Sequence, residues 1–194
     1  PRPKSSAASD VYKRQFEVFS NEACNFSYRD SLFKNNPHLM ITKVCLDLSN
    51  TFKPNTQYES LPKEVINAKE QRQNILSIRS LKLPNHKIIP NVGSFFKNPV
   101  ISESKLDELV IKFPNIKSYL FKKNRYKVSA AWLIEEAGLK GSKKGDCGIS
   151  DLHSLVFYNF SDQSDFLVTY SLEVKDIIEE KFGIILDYEP SIFS

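Results

Sequence analysis

The chain has 194 residues, of which 41% are hydrophobic and 26% are charged, and its formal net charge is +4. This length and composition indicate a globular protein that can bury one moderate core and a smaller second one. The sequence shows no repeats or low-complexity segments. No apolar run approaches the roughly 18 residues expected of a membrane helix, and no signal-peptide pattern is seen. The three cysteines have no Cys-x-x-Cys spacing, so we expect reduced thiols in a cytoplasmic protein.

The first residues differ in character from the rest of the chain. Residues 5–15 read Ser-Ser-Ala-Ala-Ser-Asp-Val-Tyr-Lys-Arg-Gln, which resembles the in-frame translation of a transposase sequencing adapter. We therefore expect residues 1–15 to be foreign to the fold, and the protein itself to begin upstream of Phe16. The alternative is a polar disordered tail, and both interpretations predict a loosely attached segment that adds nothing to a core.

The first half of the chain contains one strand pattern and one helix pattern. Residues 39–48 are rich in β-formers and predict a strand. Pro62 favours the first turn of a helix that we expect to run to about Arg79. Pro84 and Pro90 then bracket an extended connector, where we place the domain boundary, near residues 82–90.

The second half alternates helices with short strands, so the predicted class is α+β. Each predicted helix has a recognisable end, namely Pro114, Gly138 or Gly183. The predicted elements are helices at 104–113, 129–137 and 163–182, and strands at 152–159 and 184–193.

Residues 93–99 read Gly-Ser-Phe-Phe-Lys-Asn-Pro and combine features that are typical of a binding site. The glycine before Ser94 lets the backbone approach a ligand closely. Lys97 and Asn98 can supply donors to an anionic or carbonyl-rich molecule. The alternative is a strand at a sheet edge, stopped by Pro99.

Four motifs in a fixed order carry a family resemblance. They are Tyr-Arg-Asp-Ser at 28–31, the 93–99 motif, Trp-Leu-Ile-Glu-Glu-Ala-Gly-Leu-Lys-Gly at 132–141, and Leu-Asp-Tyr-Glu-Pro at 186–190. From Phe16 to Phe193 the chain resembles the UDP-N-acetylenolpyruvoylglucosamine reductases, also called UDP-N-acetylmuramate dehydrogenases. The resemblance implies an FAD-dependent oxidoreductase that uses NADPH to reduce UDP-N-acetylglucosamine enolpyruvate to UDP-N-acetylmuramate for peptidoglycan.

The resemblance also implies a division of the chain. Residues 16–83 would be the remnant of a second FAD-binding region, and residues 84–194 a C-terminal substrate-binding domain. The chain has only six glycines and no Gly-x-Gly cluster after an apolar strand. We therefore expect a fragment that lacks most of the cradle for the flavin pyrophosphate, and the alternative function is a catalytically inactive UDP-sugar-binding module.

Three residues match the catalytic positions of the family. Ser94 matches the proton donor, and Arg29 matches the arginine that binds the substrate carboxylate through its fork of donors. For Arg29 the alternative is a structural salt bridge to Asp30 or a backbone cap. Glu189 matches the family's C-terminal glutamate, although the following Pro190 departs from the family pattern and restricts the backbone of Glu189 to extended geometry.

The resemblance assigns further residues to ligands. Lysines and tyrosine hydroxyls suit diphosphate oxygens, and an asparagine suits amide or uracil groups. Tyr58 is followed by Glu59, where the family tends to have glycine. The implied substrate-binding residues are Tyr58, Lys82, Asn98, Tyr119, Lys140 and His153, and the implied flavin-facing residue is Arg79.

The cations between residues 122 and 144 have three interpretations. Because of the family resemblance, binding of a nucleotide diphosphate ranks first, with a solvated surface second and nucleic acid a distant third. His38, His86 and His153 lack metal-ligand spacing with cysteine or acidic residues, so we expect no metal site. We also expect a monomer that binds neither nucleic acid nor membrane.

Overall fold

The chain divides into two compact units. The computed structural model describes the backbone of residues 2–10 and all of residues 15–54, 61–62 and 64–192. The first unit comprises residues 1–57 and 64–68, and the second comprises residues 58–63 and 69–194. The predicted boundary between residues 83 and 84 concerns the family's domains and stays a prediction.

The first unit is built on a three-stranded antiparallel sheet. Its strands are β1 (Arg2–Asp10), β2 (Gln15–Ser20) and β3 (Leu39–Asp47), in the order β2-β1-β3. A short 3₁₀ helix, Leu32–Asn35, precedes β3. Buried Cys24 and Phe33 pack with Phe19 and Leu39 into a small core, in which the Phe19 and Phe33 rings meet edge to face at 5.4 Å.

The prediction that residues 1–15 are disordered or loosely attached is wrong for Arg2–Asp10, which forms the central strand of this sheet. Ser5 pairs with Ser20 on one side and with Cys45 on the other. Strand pairing uses backbone N–H and C=O groups. Small polar residues can therefore form a strand between two others even though their sequence shows no alternation of hydrophobic residues. The foreign origin of the segment stays a prediction, and residues 11–14 lie outside the described residues.

The second unit contains the four helices and two antiparallel sheets of the described chain. One sheet has the order β4-β10-β9-β8 and the other the order β5-β7-β6. The elements are α1 (Ala68–Lys82), β4 (Asn91–Ser94), β5 (Val100–Ser102), α2 (Glu103–Lys112), β6 (Ser118–Lys122), β7 (Arg125–Val128), α3 (Ala130–Glu136), β8 (Lys143–Lys144), β9 (Cys147–Ile149), β10 (Val156–Asn159) and α4 (Ser164–Phe182).

Local capping interactions explain where the helices begin and end. The Oγ of Ser102 accepts a hydrogen bond from the N–H of Lys105 at the start of α2, and the Oγ of Ser129 accepts one from Trp132 at the start of α3, both at 3.2 Å. Gly183 ends α4 in the left-handed conformation, with φ of 62°. The three helices predicted for the second half of the chain, and the α+β class, are confirmed.

The core of the second unit joins α3 and α4 to the four-stranded sheet. Leu133 and Ile134 of α3 are fully buried with Val174 and Ile178 of α4. The aromatic rings of Phe95, Phe96 and Phe157 are buried in this core with partly buried Tyr188 packed against them, and the Phe95 and Phe157 rings stack at 4.9 Å. This core holds β4, which carries Gly93 and Ser94, the first two residues of the 93–99 motif.

Three predicted elements need correction. The first helix begins at Ala68 rather than at Pro62, directly after Asn67, whose residue type favours the N-cap. The strand predicted at 152–159 covers only Val156–Asn159, because backbone and side-chain hydrogen bonds close a turn over residues 150–155. The strand predicted at 184–193 is reduced, over its described residues 184–192, to a single bridge between Phe96 and Tyr188.

We predict that Leu133→Ala lowers the free energy of unfolding by about 2–5 kcal/mol, because it removes a fully buried side chain and leaves a cavity. Leu81→Ala is the matched control, since Leu81 is 77% exposed on α1 and its removal should change stability by less than about 0.5 kcal/mol. Urea denaturation measures both variants. Equal losses would contradict the assigned core.

Candidate active site

A cavity of about 500 Å³ lies in the second unit where α1, β4 and the turn before β10 meet. Its volume falls in the range of roughly 300–1,000 Å³ that is usual for small-molecule sites. Three of the predicted site residues, Ser94, His153 and Arg79, line it. The other lining residues are Leu83, Pro84, His86, Asn91, Val92, Gly93 and Val156.

Ser94 reaches the cavity because it is the last residue of an edge strand. β4 pairs only with β10, with Ser94 opposite Val156. Gly93 has φ of 81°, which favours glycine, and its N–H donates to the Oδ1 of Asn91 at 3.0 Å. The alternative interpretation of an edge strand is therefore confirmed for Gly93 and Ser94, although the strand ends at Ser94 and not at Pro99, and the same edge forms a wall of the cavity.

Glu189 lies on the segment next to Ser94. Its N–H donates to the carbonyl of Phe95 at 3.0 Å, and the N–H of Lys97 donates to the carbonyl of Asp187 at 2.9 Å. Two residues that are 95 positions apart in the sequence are therefore brought to neighbouring backbone segments. That the Glu189 carboxyl and the Ser94 hydroxyl face one ligand stays a prediction.

Arg29 lies in the first unit, in a tight turn between Ser27 and Asp30. The N–H of Ser31 donates to the Asp30 carboxylate at 2.8 Å, and the Arg29 guanidinium lies 5.9 Å from the centre of the Tyr28 ring. Arg29 has φ of 56°, a left-handed conformation that costs roughly 1–2 kcal/mol for a residue with a Cβ. Its convergence with Ser94 stays a prediction.

Glu135 organises the polar side chains behind the cavity, and the sequence did not single it out. Its Oε1 accepts hydrogen bonds from the Oγ of buried Ser154 at 2.8 Å and from the Nζ of Lys140 at 3.1 Å. Burial alone would raise the pKa of Glu135, but the bonds from Ser154 and Lys140 outweigh it and lower the pKa. Glu135 therefore stays ionised and holds Lys140.

His153 is kept neutral at the wall of the cavity. Burial lowers its pKa, and the charges of Lys140 and Lys82 lower it further, whereas Glu135 acts in the opposite direction. The Nδ1 of His153 accepts the N–H of Leu155 at 3.2 Å, which requires that nitrogen to be unprotonated. Lys140 and Lys82, two other predicted substrate-binding residues, are thus near enough to His153 to affect its pKa, and a shared role in binding stays a prediction.

The remaining predicted residues are placed differently. The Oδ1 of Asn98 accepts the N–H of Ala130 at 2.9 Å, so this asparagine supports the start of α3 and its Nδ2 is the group suited to donate to a ligand. Tyr119 is on β6, in the other sheet, and is 59% exposed. Tyr58 lies outside the described residues.

Sequence reasoning also missed His86 and Asn91, which line the cavity. Asn91 had a usable signal, because an asparagine two residues before a glycine favours a turn closed by its side chain. Glu135 had none, since its role depends on the distant Ser154. The described residues contain no cluster of three His, Cys, Asp or Glu side chains suited to a metal ion, and no described helix is long and apolar enough to cross a membrane.

Comparison with known proteins identifies the family. A family model of the UDP-N-acetylenolpyruvoylglucosamine reductase C-terminal domain matches residues 83–193. The chain belongs to this family. The expected resemblance is thereby confirmed.

Curated relatives carry the same name. The UDP-N-acetylenolpyruvoylglucosamine reductase of Flavobacterium johnsoniae is 34% identical over 196 residues, covering 95% of this chain and 58% of the relative. That of Idiomarina loihiensis is 36% identical over 186 residues, covering 94% of this chain and 56% of the relative. The chain thus spans a little over half the length of these reductases.

A solved structure is similar in fold. The UDP-N-acetylenolpyruvylglucosamine reductase of Thermus caldophilus covers 100% of this chain with a TM-score of 0.57, and the chain covers 53% of it. At 21% identity this likeness establishes the fold alone. It agrees with the α+β class.

We predict that Glu135→Gln lowers the pKa of His153 further, because a negative charge that favours the imidazolium is lost. Lys140→Met should raise the pKa of His153, because it removes a neighbouring positive charge. NMR titration of the His153 ring in the isolated chain measures both shifts. Lys143→Met is the control, since Lys143 is not among the charges acting on His153, and a rise in pKa for Glu135→Gln would contradict the assigned network.

Proposed function

We propose that this chain forms the substrate-binding part of an oxidoreductase that reduces UDP-N-acetylglucosamine enolpyruvate to UDP-N-acetylmuramate, in the cytosolic stage of peptidoglycan synthesis. Membership of the reductase family supports this proposal. The observation that carries it is the position of Ser94, which lines the cavity while the adjacent segment bears Glu189.

The reaction adds a hydride to C3 of the enolpyruvyl group and a proton to C2. FAD, when bound and reduced by NADPH, supplies the hydride. Ser94 donates the proton, which requires an acceptor as basic as an enolate, because a serine hydroxyl is a weak acid. Arg29 binds the substrate carboxylate, and Glu189 assists best when protonated or paired with a cation, since a bare like charge would oppose the developing enolate.

The residues of this chain fit one side of a flavin site. Arg79 lies at the cavity wall, where a guanidinium can pair with a phosphate or a ring carbonyl of FAD. Gly138, Gly141 and Gly145 lie within eight residues and have positive φ, but they follow α3, and the sequence has no Gly-x-Gly cluster after an apolar strand of the kind that cradles a pyrophosphate. We therefore propose Arg79 as a cofactor contact and assign no residue to the pyrophosphate.

We assign the nucleotide part of the substrate to the end of the cavity that His153 lines. The charges of Lys140 and Lys82 both lower the pKa of His153, which supports a place for these two lysines near that end. Two ammonium groups beside a neutral imidazole suit a diphosphate, with the imidazole Nε2–H as an additional donor. Tyr58, Asn98 and Tyr119 complete the proposed contacts of the nucleotide sugar.

We predict that Ser94→Ala slows reoxidation of the reduced flavin by the enolpyruvyl substrate by about two to four powers of ten, because the proton donor to C2 is lost. Flavin reduction by NADPH should stay nearly unchanged, since it involves no proton at C2. The protein to use is a chimera in which residues 16–194 replace the matching part of the Flavobacterium johnsoniae reductase, and stopped-flow absorbance follows both half-reactions.

Ser80→Ala is the matched control for this experiment. Ser80 is on α1, where its hydroxyl donates to the carbonyl of Ser77, and its removal should leave both half-reactions unchanged. Equal slowing of both half-reactions by Ser94→Ala would show that Ser94 shapes the pocket and does not protonate C2.

A second candidate function is that of a catalytically inactive UDP-sugar-binding module. The lack of a Gly-x-Gly cluster after an apolar strand favours it for the 194-residue chain taken alone. We predict that the purified chain is colourless and takes up no added FAD, yet binds UDP-N-acetylglucosamine with an affinity that Lys140→Ala lowers severalfold. A yellow protein with flavin absorbance would exclude the inactive module, and the absence of UDP-sugar binding would contradict both functions.

A further inference from the structure

The segment that carries Glu189 makes few backbone hydrogen bonds to the described part of the fold. Among the described residues, two backbone hydrogen bonds, from Glu189 to Phe95 and from Lys97 to Asp187, join it to the motif that contains Ser94. The pairing amounts to one isolated bridge, Phe96 opposite Tyr188. A ladder this short does not fix a strand, so other contacts must set the position of Glu189.

The side chain of Tyr188 supplies these contacts. Its ring stacks on Phe96, with centroids 5.4 Å apart and planes at 20°, and meets Phe95 edge to face at 5.6 Å. Phe96 is fully buried and Phe95 is 3% exposed. Because Phe95 directly follows Ser94, the ring of Tyr188 joins the Glu189 segment to the Ser94 segment through two immobile side chains.

The hydroxyl of Tyr188 fixes the same segment to α4. It lies 2.9 Å from the Oγ of fully buried Ser171, and that Oγ already donates its own proton to the carbonyl of Val168. Tyr188 is therefore the donor and Ser171 the acceptor. One helical turn further along α4, the Nζ of Lys175 lies 4.7 Å from the centre of the Tyr188 ring.

We infer that Tyr188 is a positioning residue that sets the place of the Glu189 carboxyl relative to Ser94, by clamping residues 187–189 between the buried Phe95–Phe96 pair and α4. Pro190 adds to this constraint, since it confines Glu189 to extended geometry. The inference rests on the proposed function, because it gives Tyr188 a role through Glu189.

The experiment uses the 194-residue chain and two NMR measurements. The first is amide hydrogen exchange at Glu189 and Lys97, with Ile178 in α4 as the internal reference. The second is the response of the Glu189 carboxyl carbon to added UDP-N-acetylglucosamine enolpyruvate. Tyr188→Ala should raise exchange at both reporter amides at least tenfold, leave Ile178 unchanged and abolish the carboxyl response.

Tyr188→Phe is the conservative variant, which keeps the ring stack and loses the bond to Ser171. Its carboxyl response should equal that of the parent chain, and its exchange at Glu189 should rise only about fivefold over the parent, as expected for the loss of one hydrogen bond. Tyr170→Phe is the matched control, because it removes an equivalent tyrosine–serine bond, to Ser142 at 2.6 Å, far along the sequence from Glu189. It should leave Glu189 exchange unchanged.

The outcomes separate the inference from the function on which it rests. A parent chain whose Glu189 carboxyl ignores the substrate would overturn the proposed function. A parent that responds, with an equal response in Tyr188→Ala, would overturn the positioning role and leave the function in place. If Tyr188→Ala does not fold, equal Glu189 exchange in the Tyr188→Phe and Tyr170→Phe variants would overturn the inference.

Discussion

The burial of two consecutive phenylalanines is the constraint on which the candidate site depends. Phe95 and Phe96 both enter the core, although neighbours in an extended strand normally point to opposite faces. The chain can bury both because β4 ends at Ser94 and the segment 187–189 covers the far side. Ser94 consequently lines the cavity directly before two buried side chains, a fixed position that suits the proton donor that we propose.

The contacts of Glu135 show how charge is balanced near His153, which lines the cavity. Lys140 is held by Glu135, whose carboxylate is itself fixed by buried Ser154. An uncompensated set of ammonium groups would repel one another and lower the stability of the unit. Glu135 relieves that repulsion while it keeps the Lys140 side chain in a defined place, so less side-chain entropy is lost when an anion binds.

Sequence predicts this fold best where the signals are local. Pro114, Gly138 and Gly183 predict where three helices end, and the structure ends α2, α3 and α4 within two residues of them. The short strands β5 to β9 were missed because two to five residues give no period to read. The strand predicted at 184–193 is wrong for the opposite reason, because its hydrophobic pattern is real. Ile184 and Leu186 are buried by packing on the core, without a paired strand.

The residues near the cavity also differ in whether their signal is local. Ser94 and Arg79 were predicted from sequence motifs, whereas the role of Glu135 depends on contacts that form only on folding. The backbone of Arg29 adds an independent physical argument. Among the described non-glycine residues, Asn25, Arg29 and Asn124 have positive φ. Asparagine tolerates this conformation through local hydrogen bonding of its side chain, whereas arginine has no side-chain carbonyl for that purpose. A strained backbone of this kind is often found where a side chain must be held for function, which agrees with the ligand-binding role that we propose for the Arg29 guanidinium.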